Sequence, residues 1–329
     1  MKTFRFLGIA IAALFMTVNF TSCNNEGITP EDQEEKYIEV DLGCTGEILD
    51  IENSPLAKTT TTTNEVYNIA VFSLAETIMA DGYVHYLETP YATGTFTGSL
   101  QGVVIRLLEG KDYRFKVSIN LYNDGKDYGT NSREFNYNAS SYISNPTVDH
   151  YNEGYYGELD KYTPVEGGSV LINTKRVSYG VKFVAEGLTE GTLNVIAFPN
   201  SSPACSYSVQ LTTDNKTVEK IYSFPNTLEA WRGRWVSVEG GTGAGTYVNY
   251  YEDYDLTITW TKADGSVVPL GTFSVTFERN VKTTVKIKAE EAGSSNGITV
   301  VKENVPMVDD DKEYQISGGT VTEVPVNNA

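Results

Sequence analysis

Residues 112–122 read DYRFKVSINLY, and Tyr113, Phe115, Val117, Ile119 and Leu121 alternate there with Arg114, Lys116, Ser118 and Asn120. A strand turns successive side chains to opposite faces, so this period of two predicts a half-buried antiparallel strand. The pattern repeats outward in both directions. Residues 37–42 set Ile38, Val40 and Leu42 against Glu39 and Asp41, and residues 281–289 set Val281, Val285 and Ile287 against three lysines. Runs at 66–74, 103–108 and 193–198 are apolar on both faces, which suits central strands. No window of helical length carries a sustained i, i+3, i+4 stripe, so helix is expected to be nearly absent.

Turn signals separate the runs at Asp81-Gly82, Asn123-Asp124-Gly125, Glu166-Gly167-Gly168, Glu190-Gly191 and Asp264-Gly265. Strands of this length and spacing predict an all-β chain built as β-sandwiches. The best boundary lies at 164–168, giving an N-terminal sandwich over 37–164 and a C-terminal one over 165–290. Residues 291–329 form a short C-terminal β extension with strand-like runs at 298–302, 313–316 and 320–326. Three short strands cannot bury a core alone, so they complete the second sandwich or pair with something else.

The N-terminus reads as an address. Lys2 and Arg5 precede an apolar run from Phe6 to Val18, then Phe20-Thr21-Ser22-Cys23. That is a signal peptide over 1–22, cut between Ser22 and Cys23. Acylation of Cys23 would tie the chain to membrane lipid through two or three fatty chains, enough for a stable anchor. A plain secretory signal that happens to hold a cysteine is the alternative. Residues 23–36 follow as a tether holding Gly27, Pro30 and five acids, too polar to order itself.

The formal charge is −18, and −20 once Lys2 and Arg5 leave with the signal. Such a surface repels phosphate backbones, so no nucleic-acid partner is expected. Catalytic patterns are missing. His85 and His150 have no metal-ligand spacing, and nothing resembles G-x-S-x-G. The glycine run at 240–245 lacks a following Lys-Ser/Thr and opens no helix. Acid clusters at Asp309-Asp310-Asp311 and Glu252-Asp253/Asp255 match no calcium loop. No enzyme activity, cofactor or metal is expected. Cys44 and Cys205, far apart, are expected as small buried hydrophobes without a bridge.

Tyrosine is unevenly spread. Tyr142, Tyr151, Tyr155, Tyr156 and Tyr162 crowd one Asn/Gly-rich segment. Tyr247, Tyr250, Tyr251 and Tyr254 crowd a second, near Trp231 and Trp235. Tyr155, Tyr156, Tyr250 and Tyr251 are candidate binding residues for glycans or host proteins, because tyrosine offers contact area at low entropy cost. Tyrosines also form strands well and plug sandwich ends, which is the alternative.

With its lipobox-like Phe20-Thr21-Ser22-Cys23, the threonine run at 59–63 after Lys58, VYNIAVFSL at 66–74, and Phe277-Glu278-Arg279-Asn280-Val281 followed by Thr283-Thr284, the chain resembles the two-domain fimbrillins of Bacteroidetes. The resemblance spans residues 1–290. It implies two tandem transthyretin-like Greek-key sandwiches on a lipoprotein at the outer face of the outer membrane, an address the acidic tether also resembles. It implies assembly of fimbriae by strand exchange: residues 37–51 would be cut away and a strand from 298–326 of another subunit would fill the groove, supporting adhesion. The best-known fimbrillins are cut after arginine, yet this chain has none between Arg5 and Arg106. Only Lys36 and Lys58 precede the second strand. Lys58 is the one placed to release residues 37–51 as a maturation site, and an uncut loop lysine is the favoured alternative. Without that cut the protein would be an anchor or accessory subunit. A surface glycan-binding lipoprotein serving nutrient capture is the other reading.

Overall fold

The computed structural model describes residues 35–46, 64–78, 83–122, 134–137, 145–238 and 244–288, and strands at 302–306, 312–317 and 320–325. Its first seven strands are β1 (Tyr37–Gly46), β2 (Asn64–Ile78), β3 (Val84–Thr97), β4 (Val104–Leu108), β5 (Asp112–Tyr122), β6 (Glu153–Tyr162) and β7 (Ser169–Arg176). They form one seven-stranded ladder in the order β3-β2-β5-β6-β7-β1-β4. Only Tyr155, Tyr156 and Gly157 of β6 pair with β7, so the ladder has a weak joint there. Either side of that joint, β2 and β5 share one apolar cluster with β1, β4 and β7, which gives the two layers of a sandwich.

The strands that follow are β8 (Ser178–Glu186), β9 (Thr192–Pro199), β10 (Tyr207–Thr212), β11 (Thr217–Ser223), β12 (Arg234–Ser237), β13 (Gly245–Val248), β14 (Tyr251–Thr261), β15 (Val267–Glu278), β16 (Val281–Lys288) and β17 (Lys302–Pro306). Two four-stranded sheets, β10-β9-β14-β15 and β11-β8-β16-β17, enclose the second cluster. Helix is confined, among the described residues, to α1 (Thr227–Arg232) and one 3-10 turn. Asn226 caps α1 with its side chain, and Gly233 ends it. Arg279-Asn280 makes the tight β15–β16 turn, with Asn280 at φ 61, a conformation asparagine tolerates.

Of the three C-terminal runs, the first is displaced to β17 and completes the second sheet along β16. The other two form a two-stranded sheet of their own, β18 (Lys312–Ser317) with β19 (Thr320–Pro325), whose β18 runs close to β1.

Three expectations need correction. The turn at 164–168 does not divide the sheets, because β7 pairs in parallel with β1 and its Val170 and Ile172 enter the first cluster. The passage to the second cluster falls at Val177. A Gly-Gly turn reverses the chain without saying which ladder the next strand joins. Second, β4 is an edge strand, not a central one. Third, β5 is covered on both faces. The segment at 145–150 closes its polar side: Lys116 donates to Asn145 at 3.1 Å and Asn120 accepts from the Asp149 amide at 2.6 Å. Alternation tells polar face from apolar, but not whether a later segment lies over it.

Lys116 also pairs with Glu88 at 2.9 Å, and Arg114 pairs with the same carboxylate. Partial burial works to raise the Glu88 carboxyl. Hydrogen bonds and charge from Lys116 and Arg114 outweigh it and hold the group below its ordinary value. A carboxyl depressed on folding stabilises the protein above its unfolded pKa of about 4.3 and loses that contribution as pH falls through the folded value. Glu88→Gln is therefore expected to flatten the acid limb, seen as urea midpoints that fall less steeply below about pH 4.3 than those of the parent.

Candidate functional site

The first strand occupies a seat with unusual access. Residues 37–41 of β1 pair antiparallel with β4 (Val40 opposite Ile105), and residues 41–46 pair parallel with β7 (Leu42 opposite Val170). Ile38, Val40 and Leu42 are buried in the first cluster, while Glu39 and Asp41 face out. Cys44 packs on the same cluster, and that burial pushes its thiol up to about 12. At the start of β1, Lys36 pairs with Glu109 at 3.2 Å, and its carbonyl accepts from the Glu109 amide. Thus β1 is both the first strand of the ladder and an interior one. Its covalent link forward to β2 runs through residues 47–63. Were it withdrawn, a slot would open between β4 and β7, lined by Ile105, Leu107, Val170 and Ile172 and carrying unpaired backbone groups.

The tyrosines expected in binding loops are placed differently. Tyr155 and Tyr156 lie on β6, buried, and their rings point to opposite faces. Tyr155 enters the first cluster and Tyr156 the second, so this strand ties the two cores. Tyr156 donates to Glu158 at 3.0 Å, and Arg232 pairs with the buried Glu158 carboxylate at 3.2 Å. Tyr250 is buried edge-on against Phe224, with ring centroids 4.9 Å apart. Burial within β6 leaves Tyr155 and Tyr156 little surface for a contact, whereas Tyr250, in the short link between β13 and β14, is mostly buried yet lines the same groove as Tyr251. Tyr251, half-buried at the start of β14, remains at a surface, with the Arg234 guanidinium 4.4 Å above its ring.

That pair belongs to an open groove of about 580 Å³ lined by α1, β12 and β13. Its exposed rings are Trp235 and Tyr247, opposite each other in the β12–β13 ladder, with centroids 5.1 Å apart and planes at 68°. The indole lies over Gly245, where a Cβ would come within 2.4 Å of it. Gly233, at φ 84, could take no side chain, because a Cβ would sit 2.3 Å from the Val248 carbonyl oxygen. The sequence flagged this crowd of rings. It missed that Arg234 and Trp235, in Trp231-Arg232-Gly233-Arg234-Trp235, carry the open face. The signal was there: two of the three tryptophans sit in that pentapeptide.

Ser22, Cys23, Lys58, Tyr142 and Asp309-Asp310-Asp311 lie outside the described residues. His85 is on β3, and His150 precedes β6 with its ring 3.8 Å from that of Tyr151. Cys44 and Cys205 are free thiols. Among the described residues no group of three or more His, Cys, Asp or Glu side chains is placed to hold a metal ion, and no helix is long and apolar enough to cross a membrane.

No family model and no curated protein matches the chain. Among solved structures it is similar to the fimbrial anchor protein Mfa2 from Porphyromonas gingivalis, with TM-score 0.37 and 10% identity over 82% of this chain and 97% of that one. It is similar to the tip fimbrial protein Mfa3 from the same organism, with TM-score 0.33 and 14% identity over 82% of this chain and 100% of that one. A fimbrial assembly protein from Parabacteroides distasonis gives TM-score 0.31 and 12% identity, over 82% and 100%. Likeness at these values assigns neither family nor activity.

Proposed function

We propose that the chain is a surface lipoprotein, held to outer-membrane lipid through acylated Cys23, that serves as a fimbrial subunit or a fimbria-associated anchor or accessory protein. It joins its neighbours by strand exchange and supports adhesion. One observation carries this reading: an N-terminal strand, linked forward through a single connection, fills an interior place in a ladder. Each of its buried side chains removes apolar area worth about 2 kcal/mol. An incoming strand with the same alternation regains both the hydrogen bonds and the pockets, which is the physics of β-augmentation. The donor would be drawn from 298–326. Within it β17 is already engaged on β16, whereas β18 and β19 pair only with each other in the described ladders. A cut after Lys58 would free β1 and make a polymerising subunit. Without the cut the seat stays filled and the protein ends a fimbria instead of extending it.

A specific protease site inserted between Gly46 and Asn64 tests this. After cleavage of the purified chain, oligomers that survive mild detergent are expected, and excess synthetic peptide of residues 36–46 should suppress them. A cleaved chain that stays monomeric while releasing β1 would sink the proposal.

A further inference from the structure

We infer that the groove between α1 and the β12–β13 hairpin binds an acidic oligosaccharide, a short run of sugar rings bearing carboxylates. The inference is independent of strand exchange, since none of its residues lines the seat of β1.

Three features converge. Trp235 and Tyr247 are large rings left 54% and 59% exposed. Single exposed apolar residues are ordinary, but two rings paired at a fixed angle in an open groove make a platform. The indole rests on Gly245, where any side chain would displace it, and meets Tyr247 edge-on, so the platform stands without a ligand. A sugar presents a flat face of C–H groups that such a ring can cover, and its rim of hydroxyls stays free for hydrogen bonds.

Arg234 is the second feature. Its guanidinium stacks on Tyr251, and no described carboxylate lies within ion-pair distance of it. Arg232, two residues earlier, is by contrast spent on Glu158. A guanidinium with no ion-pair partner among the described residues, on a chain of net charge −18, is a local reversal of sign. Tyr251 supports the guanidinium from one side, and no described hydrogen bond takes up its N–H donors, which can meet a carboxylate as a fork, the geometry that arginine recognises best.

Third, Glu229 lines the same groove from α1 and offers oxygens that accept from sugar hydroxyls. A volume of about 580 Å³ lies within the range of small-ligand sites, about 300–1,000 Å³, and the open top suits a chain that continues out of it. A neutral sugar would leave Arg234 without a counter-charge. An acidic peptide would satisfy the arginine but offers no saturated ring face to the Trp235–Tyr247 corner.

Calorimetric titration of the full mature chain with trigalacturonate and 3′-sialyllactose tests the inference, using the methyl ester of the first and plain lactose as neutral counterparts and hexaglutamate as an acidic peptide. Saturable binding of at least one acidic sugar is expected, at least tenfold tighter than its neutral counterpart and than hexaglutamate. Arg234→Ala and Trp235→Ala should each weaken it at least tenfold with no change in melting temperature, because both side chains are exposed. Arg234→Lys should fall between, keeping charge but losing the fork. Absence of saturable binding to both acidic sugars, equal binding of hexaglutamate or the neutral counterpart, or affinity unchanged in either alanine variant would each overturn it.

Discussion

Val40→Asp is expected to unseat β1 while leaving the second core folded. Val40 is fully buried in the first cluster, between Ile38 and Leu42 on the same face. A carboxylate there has no partner, and burying one without a hydrogen bond costs on the order of 4 kcal/mol or more. Unfolding the whole protein forfeits about 5–15 kcal/mol, so the cheaper escape is for one terminal strand to leave. Hydrogen exchange should show accelerated amides in β4 and β7, which β1 now covers, with β8, β9 and β14 unchanged. Glu39→Ala, on the exposed face of the same strand, should stay within about 0.5 kcal/mol of the parent. If Val40→Asp exchanges uniformly across both cores, β1 is not a separable element, and the strand-exchange reading loses its physical basis.

The strands were legible because their alternation survives in the sequence. β1, β5 and β16 were each readable from a face of Val, Ile, Leu, Phe or Tyr residues. What alternation cannot carry is the order of strands in a ladder. Nothing in Val104-Ile105-Arg106-Leu107-Leu108 announces an edge, and nothing in Ser169–Arg176 says that it will run parallel to β1. Those facts are fixed by which distant strand offers the matching apolar face. Tyr155 and Tyr156 show the same limit: a tyrosine pair in an Asn/Gly-rich segment reads as a loop until β5 and β7 are seen to flank it. The exposed groove inverts the case. Trp235 and Tyr247 are conspicuous residues, yet their exposure follows from a two-stranded hairpin that, among the described residues, joins neither four-stranded sheet.

Tyr179→Ala is expected to be the most damaging single truncation in the second core, at about 4 kcal/mol by comparison with other buried aromatics. Its ring is fully buried, stacked on Phe277 at 4.7 Å with planes 11° apart, and touches Phe224 at 4.8 Å and Tyr254 at 5.5 Å. Tyr179→Phe keeps all of that and loses only the hydroxyl's contacts, to the Tyr207 hydroxyl at 3.5 Å and to the Tyr254 hydroxyl, so about 1–2 kcal/mol is expected. The difference between the two variants isolates ring packing from the hydroxyl. Burial also pushes the phenols of Tyr179 and Tyr207 well above their ordinary value, Tyr207's despite a hydrogen bond from Tyr179 that works the other way. A phenol raised on folding lends its stability fully below the unfolded pKa of about 10, and loses it as pH climbs above that value because only the unfolded chain ionises readily. Urea midpoints of the parent should therefore hold steady to about pH 10 and then fall. Tyr179→Phe should start lower and descend less steeply, since one ionisable phenol is gone. Exposed tyrosines elsewhere in the chain add phenolate absorbance while it is still folded, so the reading is the difference between parent and Tyr179→Phe. If the phenolate absorbance lost in that variant rises through about pH 10 without unfolding, water reaches the Tyr179 ring, and the second core is not packed as described.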